Sequence, residues 1–177
     1  MKPKIPRPVK IIAGLIVSEP GLLAPVQQAL EKHWGPSDLG SDILPFSFTD
    51  YYQPEMGTDL NRKFLSFSRT VSPENLHTHK LLSNRIEEEF SLAGKRRVNI
   101  DPGYMELSKL VLFTTKNYYH RIYLAEGIYA EVTLHFRDGS FQTLPWTYPD
   151  YRSREYHEFF MRIREIYKKQ LETGNTD

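Results

Sequence analysis

VKIIAGLIV, residues Val9–Val17, is an almost unbroken apolar run rich in β-branched side chains. A strand covered on one face alternates; one apolar at every position suits the centre of a sheet covered on both faces. After it, Ser18 reads as a helix N-cap. Leu22, Leu23, Val26, Ala29 and Leu30 then recur at helical spacing up to a stop at Gly35-Pro36. Pro25 marks either the first turn of that helix or a kink. Residues 44–49 alternate Leu44, Phe46 and Phe48 with polar Ser47 and Thr49, and Pro45 makes this an edge strand. Residues 51–60 read as a loop around Pro54 and Gly57, and 62–68 (RKFLSFS) as another strand.

Ser72-Pro73 is a helix start, with the hydroxyl as cap and proline at the first helical position. Leu76, Leu82, Ile86 and Phe90 line one side, Glu87, Glu88 and Glu89 mostly face water, and Gly94 ends the helix. Residues 97–101 form a short strand with Val98 and Ile100 on one face and Arg97, Asn99 and Asp101 on the other. The order predicts an α+β fold whose first half, 9–104, is a ferredoxin-like βαββαβ unit behind a basic tail, 1–8. An antiparallel β extension follows over 105–145. In it, 128–136 alternates cleanly and Asp138-Gly139 marks a hairpin turn. A helix over 152–171 ends the single domain, with Tyr156, Phe159, Phe160, Ile163, Ile166, Tyr167 and Leu171 at helical spacing.

The chain has 177 residues, 23 basic against 22 acidic, at 40 % hydrophobic. These values exclude disorder, and the near-neutral total argues against coating of polyanions. With no cysteine, disulfides, Cys-ligated metals and thiol catalysis are excluded. The basic start MKPKIPRPVK lacks the apolar stretch of a signal peptide, and no run approaches the ~20 residues of a membrane span. The expected compartment is the cytoplasm.

Four separated stretches carry a resemblance: FSFTDYYQPEMG (46–57), RRVNIDPGYMELSKLVLFTTK (96–116), HRIYLAEGIYAEVTL (120–134) and WTYPDYRS (146–153). With them the chain resembles the bacterial family known as domain of unknown function 4416. The resemblance implies no activity, substrate or catalytic residue. A GTP-binding role would need a G-x-x-x-x-G-K-[ST] loop, and none of the ten glycines begins one.

Chemistry-bearing residues cluster in three places. Asp50, Tyr51 and Tyr52 with Glu55 follow the second strand, and Asn99, Asp101 and Tyr104 lie at the fourth. Both segments leave one end of the sheet, yet their strands sit at opposite edges of the βαββαβ order, roughly 14 Å apart at ~4.8 Å per step. The plainest local reading of Asp101-Pro102-Gly103 is a turn. Third, Tyr129, Glu131, Thr133 and His135 share a face of the 128–136 strand. If that face is covered, Glu131 needs a partner, and Lys109, His120 and Arg121 are the nearby choices; if it is open, it faces solvent. No metal-binding spacing such as H-E-x-x-H occurs, and no motif identifies a cofactor. His77 and His79 read as surface residues.

Charge is unevenly spread. Residues 11–61 hold seven acids against one lysine, net −6, and 94–124 hold six basic residues against two acids, net +4. The basic segment contains Lys95, Arg96, Arg97, Lys109, Lys116 and Arg121, as an anionic ligand requires. The leading expectation is therefore a binding protein or enzyme for a small phosphate- or carboxylate-bearing ligand. Lys109, His120 and Arg121 would hold the anion, with Asp50, Tyr51, Asn99, Tyr104 and Tyr129 around it. Asp101, His120 and Glu131 would serve as acid–base or orienting groups. The alternative is a non-catalytic interaction module using an edge strand or the aromatic loop from Trp146 to Tyr151. RNA binding ranks third, since RKFLSF lacks the pattern of an RNA-recognition strand.

Overall fold

The computed structural model describes residues 2–174; residue 1 of the basic tail 1–8 lies outside them, and residues 2–7 are exposed. Nine strands and four α-helices follow in the order β1 (Val9–Val17), α1 (Leu23–Trp34), β2 (Ser37–Gly40), β3 (Leu44–Phe46), α2 (Gln53–Met56), β4 (Leu60–Val71), α3 (His77–Glu89), β5 (Val98–Glu106), β6 (Lys109–Thr114), β7 (Ile122–Ala125), β8 (Ile128–Arg137), β9 (Ser140–Thr143) and α4 (Arg154–Thr173). The fold is mixed α+β. Its single antiparallel sheet has the order β2-β4-β1-β5-β6-β8-β7, with β3 also on β4 and β9 also on β8.

Every residue of β1 is buried, because the sheet is covered on both sides. Ile11, Ala13, Leu15 and Val17 join Leu23, Val26, Leu30 and Trp34 of α1 and Ile86 of α3 on one face. Ile12 points the other way, with Phe64, Met105, Leu110 and Leu134, beneath Tyr156, Phe159, Phe160, Ile163 and Tyr167 of α4. The aromatic stripe of α4 lies at helical spacing, and each such side chain contributes about 1.5–3 kcal/mol when fully buried. Ser153 caps α4, its Oγ accepting from the Tyr156 N–H at 3.3 Å. The β8–β9 hairpin turns at Asp138 and Gly139, both at positive φ, as an Asp-Gly turn requires.

Several local expectations are corrected. Ser18 caps nothing; its N–H donates to the Arg97 carbonyl, and the chain passes through a 3-10 turn at Pro20–Leu22 before α1. Pro25 thus falls in the first turn, where its missing N–H costs nothing. Ser72-Pro73 precedes α3 but does not start it, because Asn75 takes a left-handed φ of 56° that no helix continues through. The edge strand at 44–49 is only the three residues of β3, with β2 added before it. His77 and His79 are half-buried, and the His79 ring meets the edge of Trp34 at 5.4 Å. Glu87 is buried rather than facing water.

The most consequential correction is at Asp101-Pro102-Gly103, which is the middle of β5 and no turn. β5 pairs with β6 from Glu106↔Lys109 only as far as Gly103↔Leu112. Continued register would set Pro102 opposite Phe113, and proline has no N–H to give. The two strands part there. The backbone of Ile100, buried and unpaired with β6, is satisfied by side chains of α3 instead: Glu87 Oε1 accepts its N–H at 2.7 Å, and Lys80 Nζ donates to its carbonyl at 2.8 Å. Gly103 fixes where the parting begins, since a Cβ on it would lie 2.1 Å from the Val111 carbonyl oxygen.

Candidate functional site

The parting of β5 from β6 opens a cleft of about 320 Å³. The Phe46–Tyr52 segment lines it, as do Thr114 at the end of β6, Thr115 and Lys116 just beyond it, and Tyr148. On its floor lies Arg62 of β4, only 1 % exposed. Gly14 of β1 makes room for it: a Cβ at 14 would sit 3.2 Å from the Arg62 Cζ and 3.2 Å from the Tyr151 hydroxyl. The guanidinium donates to Asp101 Oδ2 at 3.1 Å and Asp150 Oδ2 at 3.0 Å, and stacks near the Phe64 ring at 4.6 Å. Asn99 Nδ2 donates to the other oxygen of Asp101 at 3.0 Å. One cation therefore serves two carboxylates. Burial alone would lower the Arg62 pKa, but Tyr151, Asp150 and Asp101 outweigh it and raise it. Burial also pushes up Asp150, against the pull of Arg62, and raises Tyr151 and Tyr52 well above the usual phenol range.

Glu131, on β8, closes the side of the cleft and is 3 % exposed. Its Oε2 is held by His120 Nε2 at 3.0 Å and by Arg121 Nε at 2.7 Å. Arg121 also donates to the Lys116 carbonyl and to the Tyr148 hydroxyl, both at 2.9 Å. Trp146 stacks on His120 with centroids 4.9 Å apart and donates its indole N–H to the Val132 carbonyl at 2.8 Å. Burial, with Glu131 nearby, raises Tyr148 to about 12. The second carboxylate oxygen, Oε1, has no hydrogen-bond partner among the described residues.

The mouth is cationic. Lys116 Nζ lies 3.9 Å from the centroid of the exposed Tyr51 ring, and the ammonium lowers the Tyr51 pKa. No carboxylate among the described residues stands within ion-pair distance of Lys116. Arg96 also borders the mouth, paired with Glu55 and donating to the side-chain amide oxygen Oδ1 of Asn99 at 3.4 Å.

Of the residues expected to form a site, Tyr51, Asn99, Asp101 and Glu131 share this cleft. His120 and Arg121 back Glu131 from outside the lining. Asp50 points elsewhere, accepting from Gln53 Nε2, and Tyr104 packs against Phe113. Tyr129 lies against Tyr123 on the outer strands. Lys109 is at the far end of β6, opposite His135, and pairs with Glu106 at 3.1 Å. Lys109 therefore does not converge with Asp101 and Glu131. Arg62, Lys80, Tyr148 and Asp150 lay outside the expected set. Arg62 shares a strand face with Phe64 in RKFLSFS, and a basic residue on a strand's buried side was the available signal. The loop from Trp146 to Tyr151 is docked, with Tyr151 buried against Phe64 and Phe160.

Among the described residues, no group of three or more His, Asp or Glu is arranged to hold a metal ion. None of their helices is long and apolar enough to cross a membrane. No curated protein and no solved structure matches the chain. One family profile does, described as Domain of unknown function (DUF4416), over residues 7–167. The match spans both parted strands, the floor arginine and the Glu131 cluster, and the chain belongs to the DUF4416 family.

Proposed function

We propose that this chain is a cytoplasmic binding protein for a small anionic ligand, carrying phosphate or carboxylate, that seats in the cleft between β5 and β6. The observation that carries the reading is Lys116: an ammonium with no carboxylate partner among the described residues, at the mouth of an aromatic-walled cleft. A cleft of about 320 Å³ suits a small metabolite, and convergent polar groups within apolar walls are the usual make-up of such sites. Arg96 adds a planar guanidinium suited to oxyanions. This reading moves the anion from Lys109, His120 and Arg121 to Lys116 and Arg96, since Arg121 is committed to Glu131. A thermal-shift screen of nucleotides, sugar phosphates and dicarboxylates tests it. At a hundred times Kd a ligand adds about 2.7 kcal/mol to stability. Stabilisation by at least one anion, lost in Lys116→Ala and reduced in Arg96→Ala, is expected. No shift with any anion overturns the reading.

A second reading has its own observation. Edge strand β7 exposes Ile122, Tyr123 and Leu124 in succession beside exposed Tyr118 and Tyr119. An unpaired apolar edge supports strand-to-strand association with a protein partner. Light scattering separates the self-association form of this reading: a mass that stays monomeric across concentrations counts against it.

A further inference from the structure

The charges of the cleft are arranged in depth. At the mouth, Lys116 has no carboxylate partner among the described residues and Arg96 is balanced by Glu55. On the sides, Lys80 stands 3.5 Å from Glu87, and Arg121 holds Glu131. On the floor, two carboxylates, Asp101 and Asp150, share the single guanidinium of Arg62. The mouth thus carries an excess of one positive charge and the floor an excess of one negative charge. Asp101 keeps 28 % of its side chain exposed, so this excess is presented to the cleft.

The buried, unpartnered oxygen of Glu131 is independent of that count. A buried carboxylate oxygen without a donor is costly, and native structures seldom leave one so. Its twin is fixed by His120 and Arg121, so the carboxylate cannot turn to find a partner without breaking two bonds. What this oxygen lacks is a hydrogen-bond donor, and Glu131 is among the residues that line the cleft. A metal ion fits less well: Asp101 and Asp150 both turn an oxygen to Arg62, and no three-ligand group is present among the described residues.

We infer that the ligand is bipolar, carrying a protonated amine or comparable cationic donor that enters first, toward Asp101, Asp150 and Glu131, and an anionic group left at Lys116. The inference rests on the anion-binding reading and adds the second pole. Between the poles, Phe46, Phe48 and Tyr52 give an apolar or aromatic spacer a surface to lie on.

Three probes sharing one ring test this: benzoate, benzylamine and 4-(aminomethyl)benzoate, titrated by NMR against the wild type, Asp101→Asn and Lys116→Met. The expected order has 4-(aminomethyl)benzoate tightest. Asp101→Asn weakens it and benzylamine about tenfold, without weakening benzoate. Lys116→Met weakens it and benzoate and spares benzylamine. If 4-(aminomethyl)benzoate binds no tighter than benzoate, or Asp101→Asn weakens both pure probes alike, the bipolar ligand is overturned while the anion site stands. If benzoate and 4-(aminomethyl)benzoate bind without regard to Lys116, or not at all, the anion site itself fails, and the inference with it. Asn at 101 still accepts from Arg62; should that variant lose its fold, Asp150→Asn removes the same excess charge and is read the same way.

Discussion

Arg62 and Asp150, 88 residues apart in the chain, meet at 3.0 Å beneath the cleft, and neither is more than 7 % exposed in its side chain. The contact ties the docked 146–152 loop to the centre of the sheet, so the outer wall and the floor are one unit.

Breaking that pair is costly because it leaves a buried charge short of a partner. Asp150→Ala is expected to destabilise the protein by about 3 kcal/mol in urea unfolding. A loss below ~1 kcal/mol would show that Asp101 alone satisfies Arg62.

The pairing of β5 with β6 at Gly103, the last rung before they part, depends on the missing side chain there. Gly103→Ala places a methyl 2.1 Å from the Val111 carbonyl, which only backbone movement relieves. A loss of about 3 kcal/mol or more is expected in denaturant unfolding. Gly21→Ala, with nothing within 4 Å of the new methyl, is expected to stay within about 0.5 kcal/mol of wild type.

Burial lowers the pKa of His79 to about 4 from 6.5. Between those values the unfolded chain binds the proton and the folded chain does not, so stability falls as pH is lowered from 6.5 and the loss is complete below about 4. The loss expected from this residue is about 2–3 kcal/mol, at 1.36 kcal/mol per pH unit with allowance for its partial exposure. Urea unfolding of His79→Leu should show a correspondingly flatter slope over that window; an unchanged slope would assign the effect elsewhere.

Among the described residues Lys109 pairs with Glu106 alone, and both side chains are 34 % exposed. Lys109→Ala should cost less than about 1 kcal/mol and leave anion-dependent thermal shifts intact. The comparison with Lys116→Ala separates the two ends of β6.

The elements visible in the sequence are those whose periodicity matches their surroundings. β1 is apolar throughout because both its faces are covered, and α4 carries its aromatic stripe at helical spacing. β8 alternates in sequence but does not keep one apolar face: a register shift against β6 puts Ile128 and Ala130 in the core under α1 and α3 and Leu134 and Phe136 in the core under α4, and Glu131 and Thr133 are buried. β2, SDLG, has no apolar rhythm and exists because β4 offers it an edge. Asp101-Pro102-Gly103 has the composition of a turn, but pairing with β1 across its whole length holds it extended. The Glu131 partners His120 and Arg121 could be read from proximity along the chain. Lys109 could not be excluded that way, because strand register, set by the β6–β8 pairing, puts it opposite His135. The Arg62 cluster joins residues from β4, β5 and the loop before α4, a convergence that no local pattern encodes.

Where β5 leaves β6, the strands are no longer bound to each other by backbone groups, and Lys80 and Glu87 take up the freed valences of Ile100. The width of the cleft is therefore a side-chain property on an otherwise rigid frame. A longer or shorter residue at 80 or 87 would retune the gap and leave every remaining rung of the sheet intact, which makes these two helix positions the places where relatives of one fold can come to differ in what they admit.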